Sequence, residues 1–379
     1  MNIMETKRPL DILLSRYAAQ HFGDAIAKTL HAAPYRIVTP DDIVGAGPAR
    51  ADGAPDGAKA TPVAPVAPIA ALISRDVTGR STKAVVTADT QHFYDALLAS
   101  PGLRWVHAHS AGLDRPIYPE LLRRGVRVTT SAGANARPVA HSALAGLLSL
   151  ARRLPRLQAA QREHAWKPLL DDDTPRDLAG QNALIVGYGA IGQRLAKLLD
   201  ALEMNVSVVR RELPASSSGR LTENEATAYR SIVFAEIDSA LPETDWLILA
   251  CPLSPLTARL IDARRLQLLR PGAHLINVAR GEVVVEADLI AALRAGTVAG
   301  AYLDVFEHEP LDAASPLWDL PNVLVTPHTA GHADSHYAAV GRIWLDNLAR
   351  FSRGEPLINE AQAHSHGSHS REPQQLATR

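Results

Sequence analysis

One cysteine, Cys251, stands alone in 379 residues, which excludes an internal disulfide framework and fits a reducing compartment. Neither sign of charge is in excess: 39 Lys and Arg face 40 Asp and Glu, a formal charge of −1. That balance exerts no global pull toward nucleic acid or an anionic membrane. Long apolar runs are missing too, since 183–186 and 246–251 fall far short of the ~20 residues a membrane helix needs. The opening stretch MNIMETKRPLDILL mixes Glu, Asp and Lys with its apolar residues, unlike a secretory signal. These absences imply a soluble, cytoplasmic protein with no nucleic-acid or membrane partner. What is present, 46% hydrophobic and 21% charged residues, is an ordinary globular composition. A chain of this length predicts two domains at roughly 150 residues each.

The first part reads as alternating strand and helix. Apolar runs at 12–14, 35–38, near Ile69, at 84–86 and at 103–107 are separated by helical spacing at 17–30 and 92–98. Between 45 and 68 the chain is rich in Ala, Pro and Gly without any period. Such a segment cannot bury enough apolar surface to offset its ordering entropy, so it reads as a mobile insertion rather than a domain boundary. A run of helix formers at 140–154 predicts a helix joining this unit to the next.

The second half is more regular. Strand candidates lie at 183–186, 206–209, 232–234, 246–250, 274–278, 299–303 and 323–325, with helical patterns at 191–202 and 286–293, the latter stopped by Gly296. Strands and crossovers in this order predict an α/β fold with a parallel, doubly wound sheet. The polar, His- and Ser-rich stretch 361–379 reads as a disordered tail. Its His364, His366 and His369 belong to that solvated composition, and no metal site is assigned.

Gly187-Tyr188-Gly189-Ala190-Ile191-Gly192 follows the apolar run 183–186 and opens a helical pattern. That context makes it a dinucleotide fingerprint rather than a stray glycine loop. Gly187 makes the tight turn, Gly189 lets the backbone approach a pyrophosphate, and Gly192 lets helix and strand pack closely. Ile191, Leu195, Leu198, Leu199 and Leu202 supply the stripe by which that helix is buried. About 20 residues on, an NAD site carries an acidic residue for the ribose 2′-hydroxyl. This chain has Arg210 and Arg211 there. Guanidinium groups hold a 2′-phosphate that a carboxylate repels, so NADP is favoured, with NAD the alternative. Ser216, Ser217 and Ser218 offer further hydroxyls in the same loop.

Three ionisable residues fall just past three successive strand candidates: Arg280, Glu309 and His328. In doubly wound sheets this end of the strands is where ligands bind. The trio suits hydride transfer to a 2-oxo acid. Arg280 forks the substrate carboxylate, His328 exchanges a proton with the carbonyl oxygen, and the carboxylate orients the imidazole and favours its charged form. Glu307 competes with Glu309 for that last role, and spacing does not choose between them. Asp304 closes its strand where a nicotinamide ribose would lie. Cys251 reads as a small packed residue rather than a nucleophile.

These stretches resemble the D-isomer-specific 2-hydroxyacid dehydrogenase family, with its glyoxylate and hydroxypyruvate reductases. The match runs through Leu178-Ala179-Gly180 to Gly192, Cys251-Pro252-Leu253 to Thr257, and Asn277-Val278-Ala279-Arg280-Gly281. It continues with Leu303-Asp304-Val305-Phe306-Glu307-His308-Glu309-Pro310-Leu311, Thr326-Pro327-His328, and Asp346-Asn347-Leu348 to Asn359. The resemblance implies catalytic roles for Arg280, Glu309 and His328, with Glu309 as the histidine's partner. It implies cofactor contacts from Ala190, Ile191, Pro252, Thr257 and Ala279. Ser110-Ala111-Gly112-Leu113-Asp114 resembles the loop whose backbone amides, at Ala111 and Gly112, meet the substrate carboxylate.

The resemblance further implies a Rossmann cofactor domain (137–328) inserted into a discontinuous, flavodoxin-like substrate domain (1–136 and 329–360), and a homodimer built through the cofactor domain. A second implied reading is a nicotinamide-sensing interaction protein like the C-terminal-binding-protein corepressors. The chain departs from the family in its insertion at 45–68 and in Arg210. It also reads Val139-Ala140-His141-Ser142 where the family often has Ala-Glu-His.

Overall fold

The computed structural model describes residues 9–31, 33–45, 66–79, 81, 85–212 and 229–361. The insertion at 45–68, apart from residues 45 and 66–68, lies outside the described residues. So do Ser216 to Ser218 and the tail beyond residue 361. The chain divides into two units, Met1–Ser131 with Gly341–Arg379, and Ala132–Val340. Each holds one parallel sheet.

In the first unit the strands are β1 (Leu10–Leu13), β2 (Tyr35–Val38), β3 (Ala70–Ile73), β4 (Trp105–Ala108) and β5 (Arg127–Thr130). Their order is β2-β1-β3-β4-β5, all neighbours parallel, which is the flavodoxin-like doubly wound arrangement. β1, β3 and β4 are buried throughout, as expected of strands covered on both faces. The helix Arg16–Leu30 starts where the Ser15 hydroxyl accepts from the Ala18 amide, and it buries Ala18, Phe22, Ile26 and Leu30 at four-residue spacing. The returning chain closes this unit. Trp344 and Phe351, on the helix His336–Arg353, pack against Phe22 and Trp105, and the Thr130 amide donates to the Asn359 carbonyl at 3.0 Å.

Two details differ from expectation. Val85 and Val86 join no strand, and both side chains face solvent. β5 was not expected, since Arg127-Val128-Thr129-Thr130 holds a single aliphatic residue. It is held by buried polar pairs: Thr129 Oγ1 accepts from the Trp105 indole at 2.8 Å and lies 2.7 Å from His107 Nδ1. Burial pushes the pKa of His107 down to about 3, so the ring is neutral.

The second unit carries β6 (Asn182–Val186), β7 (Asn205–Arg210), β8 (Arg230–Val233), β9 (Trp246–Leu249), β10 (His274–Asn277), β11 (Gly300–Leu303) and β12 (Val323–Val325). The order β12-β11-β10-β9-β6-β7-β8, again all parallel, is that of a Rossmann sheet whose strand order reverses between β6 and β9. The single helix expected at 140–154 is two, Ala136–Ala151 and Leu154–Arg162. Arg153 turns left-handed between them (φ 53°), and Pro155 suits only the first turn of a new helix. Among the described residues no helix is long and apolar enough to cross a membrane.

Candidate active site

The glycine turn is built from backbone contacts. Gly187 has φ +103°, and a Cβ there would sit 2.8 Å from the Ala250 carbonyl and the Cys251 backbone. At Gly192 an added Cβ would lie 2.1 Å from the Gly187 carbonyl oxygen. Gly189 is the opposite case, with nothing within 4 Å of that position. The turn is therefore closed toward the protein at its ends and open to a ligand at its middle. The helix Ala190–Asp200, beginning with Ala190 and Ile191, directs its amino-terminal amides at that opening. These residues fit the pyrophosphate of a dinucleotide.

A cavity of about 260 Å³ extends from this turn, lined by Gly187, Gly189, Arg210, Arg211, Pro252 and Thr257 among others. Arg210 ends β7, and its guanidinium carbon lies 4.5 Å from the centroid of the Tyr188 ring. Thr257 is buried and pins its own loop, its hydroxyl donating to the Pro252 carbonyl at 2.7 Å and accepting from the Ser254 amide at 2.8 Å. Cys251 is a core residue whose thiol burial pushes up to about 12, leaving no thiolate.

The ionisable trio sits beyond the carboxyl ends of β10, β11 and β12. Asn277 shapes the turn at Arg280: its Oδ1 accepts from the Ala279 amide at 3.0 Å and its Nδ2 donates to the Arg280 carbonyl at 3.1 Å. The Arg280 guanidinium donates to the Ala279 carbonyl at 2.7 Å. Glu309, not Glu307, reaches the histidine, with Oε2 2.7 Å from His328 Nδ1. Glu307 turns toward Arg259 instead. An ionised carboxylate only accepts, so Nδ1 carries the hydrogen and Nε2 is left for proton exchange. The other Glu309 oxygen accepts from the Phe306 amide at 3.2 Å, which holds the pair in place.

Asp304 is buried, and both its oxygens turn to the 326–330 loop. They accept from the Thr326 hydroxyl at 2.6 Å and from the amides of Thr329 and Ala330. Burial raises its pKa above the usual carboxylate value, against the donors that lower it. His328 itself sits at φ 52°, its amide donating to the Asp304 carbonyl at 2.8 Å. Sequence reasoning missed two supports of this constellation: Asn277, and Ser142, whose hydroxyl donates to the Ala330 carbonyl at 3.2 Å. In the first unit, Ala111 and Gly112 lie in the loop leaving the carboxyl end of β4, where the Ser110 hydroxyl donates to the Gly112 carbonyl at 2.8 Å. Among the described residues no group of His, Cys, Asp and Glu could hold a metal ion.

Comparison with known proteins gives the family. Residues 144–330 match the family model for the D-isomer specific 2-hydroxyacid dehydrogenase NAD-binding domain. A glyoxylate reductase from Pyrococcus furiosus is 34% identical over 269 residues, covering 69% of this chain and 77% of that protein. This chain belongs to the D-isomer-specific 2-hydroxyacid dehydrogenase family. It is an NAD(P)-dependent dehydrogenase of that family, and Ala132–Val340 contains its nucleotide-binding domain. Two solved family members share the fold. One, from Aeromonas salmonicida, is 26% identical with a TM-score of 0.70, covering 94% of this chain and 99% of its own. The other, from Xanthobacter autotrophicus and solved with NADPH and MES, is 29% identical with a TM-score of 0.65, covering 94% and 98%.

Proposed function

We propose that this dehydrogenase reduces small 2-oxo acids, glyoxylate and hydroxypyruvate among them, to 2-hydroxy acids, of D configuration where the product is chiral, with NADPH preferred over NADH. The observation that carries the proposal is the Glu309–His328 pair, 2.7 Å apart in the unit that also presents Arg210 to the cofactor cavity. The name of the Pyrococcus furiosus relative supports the substrate class, and the NADPH bound to the Xanthobacter autotrophicus protein supports the cofactor.

Bound NADPH supplies the hydride. The Arg280 guanidinium holds the substrate carboxylate and polarises the 2-oxo group, and in the first unit the backbone amides of Ala111 and Gly112 are anion donors. His328 Nε2 gives its proton to the carbonyl oxygen as that oxygen gains charge. Glu309 keeps the imidazole oriented through its contact with Nδ1. In this reading Asp304 and Thr326 hold the 326–330 loop, and Arg210 with Arg211 receives the 2′-phosphate. The first unit then serves as the substrate domain and the second as the cofactor domain of a cytoplasmic homodimer.

The test is the loss of reduced-nicotinamide absorbance with NADPH and NADH side by side, over glyoxylate, hydroxypyruvate and branched or aromatic 2-oxo acids. A charge-assisted contact to the 2′-phosphate is expected to favour NADPH by about 10- to 100-fold in kcat/KM. A preference for NADH would remove the arginine argument and keep the enzyme. Tight NADPH binding without turnover of any acid would favour the corepressor-like sensor.

A further inference from the structure

We propose that Tyr188, the residue between the first two glycines of the turn, determines nucleotide specificity by holding the Arg210 guanidinium flat against its ring for a 2′-phosphate. The proposal deepens the NADPH reading and rests on it. The Arg210 guanidinium carbon stands 4.5 Å from the Tyr188 ring centroid, well inside the range in which an aromatic face attracts a cation. Tyr229 backs the assembly, its ring edge-on to Tyr188 at 6.3 Å and 72°. Tyr229 just before β8, Tyr188 in the turn after β6 and Arg210 at the end of β7 thus form one cluster.

The platform is anchored through its backbone neighbours. Tyr188 lies between Gly187, whose amide donates to the Val209 carbonyl at 3.0 Å, and Gly189, which caps the helix Ala190–Asp200. The cation it carries is not stiff by nature, since a free arginine samples many rotamers and loses them on binding. Stacking removes much of that cost in advance. It also leaves the guanidinium edge, where the N–H donors lie, for the oxygens of a phosphate. Both Tyr188 and Arg210 line the cofactor cavity, so the stack is formed at the place where the phosphate would arrive. An aliphatic residue at 188 leaves Arg210 its charge and removes its alignment.

Calorimetric titration of the full chain with adenosine 2′,5′-bisphosphate and adenosine 5′-monophosphate tests this without turnover. Wild type is expected to prefer the bisphosphate. Tyr188→Leu should lose about fivefold of that preference while Tyr188→Phe keeps it, because the ring face and not the hydroxyl carries the cation. In an Arg210→Gln background Tyr188→Leu should change the preference no further. Unchanged preference in Tyr188→Leu overturns the proposal and leaves the NADPH reading standing. Equal loss of both ligands, or a Tyr188→Phe as poor as Tyr188→Leu, overturns it as well. If wild type binds both nucleotides equally, the NADPH reading itself fails, and this proposal with it.

Discussion

Replacing His328 with asparagine is expected to lower 2-oxo acid turnover by about 10²- to 10⁴-fold, the range over which a positioned acid–base group acts. NADPH affinity, read by nucleotide fluorescence, should be unchanged, because His328 does not line the cavity that extends from the glycine turn. Asparagine is the right replacement for a local reason. His328 occupies the left-handed region at φ 52°, which asparagine enters readily and alanine enters at a cost of about 1–2 kcal/mol. The asparagine variant therefore separates lost chemistry from a distorted loop. Glu309→Gln should cost about 10- to 100-fold by removing one charge-assisted hydrogen bond. Combining the two should be no worse than His328→Asn alone, since Glu309 acts through the imidazole. Turnover within a few-fold of wild type in His328→Asn would remove this residue from proton transfer.

Much of this constellation was legible from the chain, for a reason that also marks the limit. In the second unit the strands are covered on both faces, so 183–186 of β6 and the whole of β9 read as unbroken apolar runs. With the strands in order, placing Arg280, Glu309 and His328 beyond β10, β11 and β12 needed only counting. β5 escaped because its stability comes from Thr129 accepting from Trp105, a pairing between residues 24 apart that no local pattern records. The choice between Glu307 and Glu309 is of the same kind. Both are carboxylates two residues apart, and what separates them is that the Glu307 amide is held by Glu286 while Arg259 draws its side chain away. Tyr188 carried a weak signal, an aromatic residue inside a glycine turn with an arginine closing the following strand. Asp304 has a second partner set that its strand-end position does not announce, because its oxygens are engaged by the loop that bears His328.

The glycine after Arg280 exposes how tightly the chemistry depends on backbone packing, and Gly281→Ala is expected to damage stability and turnover together. A Cβ at Gly281 would fall 1.8 Å from the Phe306 carbonyl carbon, 2.0 Å from its oxygen and 2.3 Å from the Glu307 amide nitrogen. All three atoms are main chain, so no rotamer change relieves the clash. One segment has to move by about an ångström or more, either the turn that presents Arg280 or the stretch that leads to Glu309. Overpacking typically costs 1–3 kcal/mol, and with backbone on both sides the upper end applies, about 3 kcal/mol and a Tm lower by roughly 6–12 °C. Misplacing catalytic groups by an ångström can cost about 10²-fold in rate, so kcat should fall by that order in whatever fraction folds. Gly189→Ala makes the contrast. Its Cβ would meet nothing within 4 Å, so Tm should hold while affinity for the nucleotide drops, the methyl group lying where the pyrophosphate approaches. Wild-type melting and turnover in Gly281→Ala would mean that the Arg280 turn and the Phe306–Glu309 stretch do not pack in this way. The positions assigned to Arg280 and Glu309 would then lose their common support.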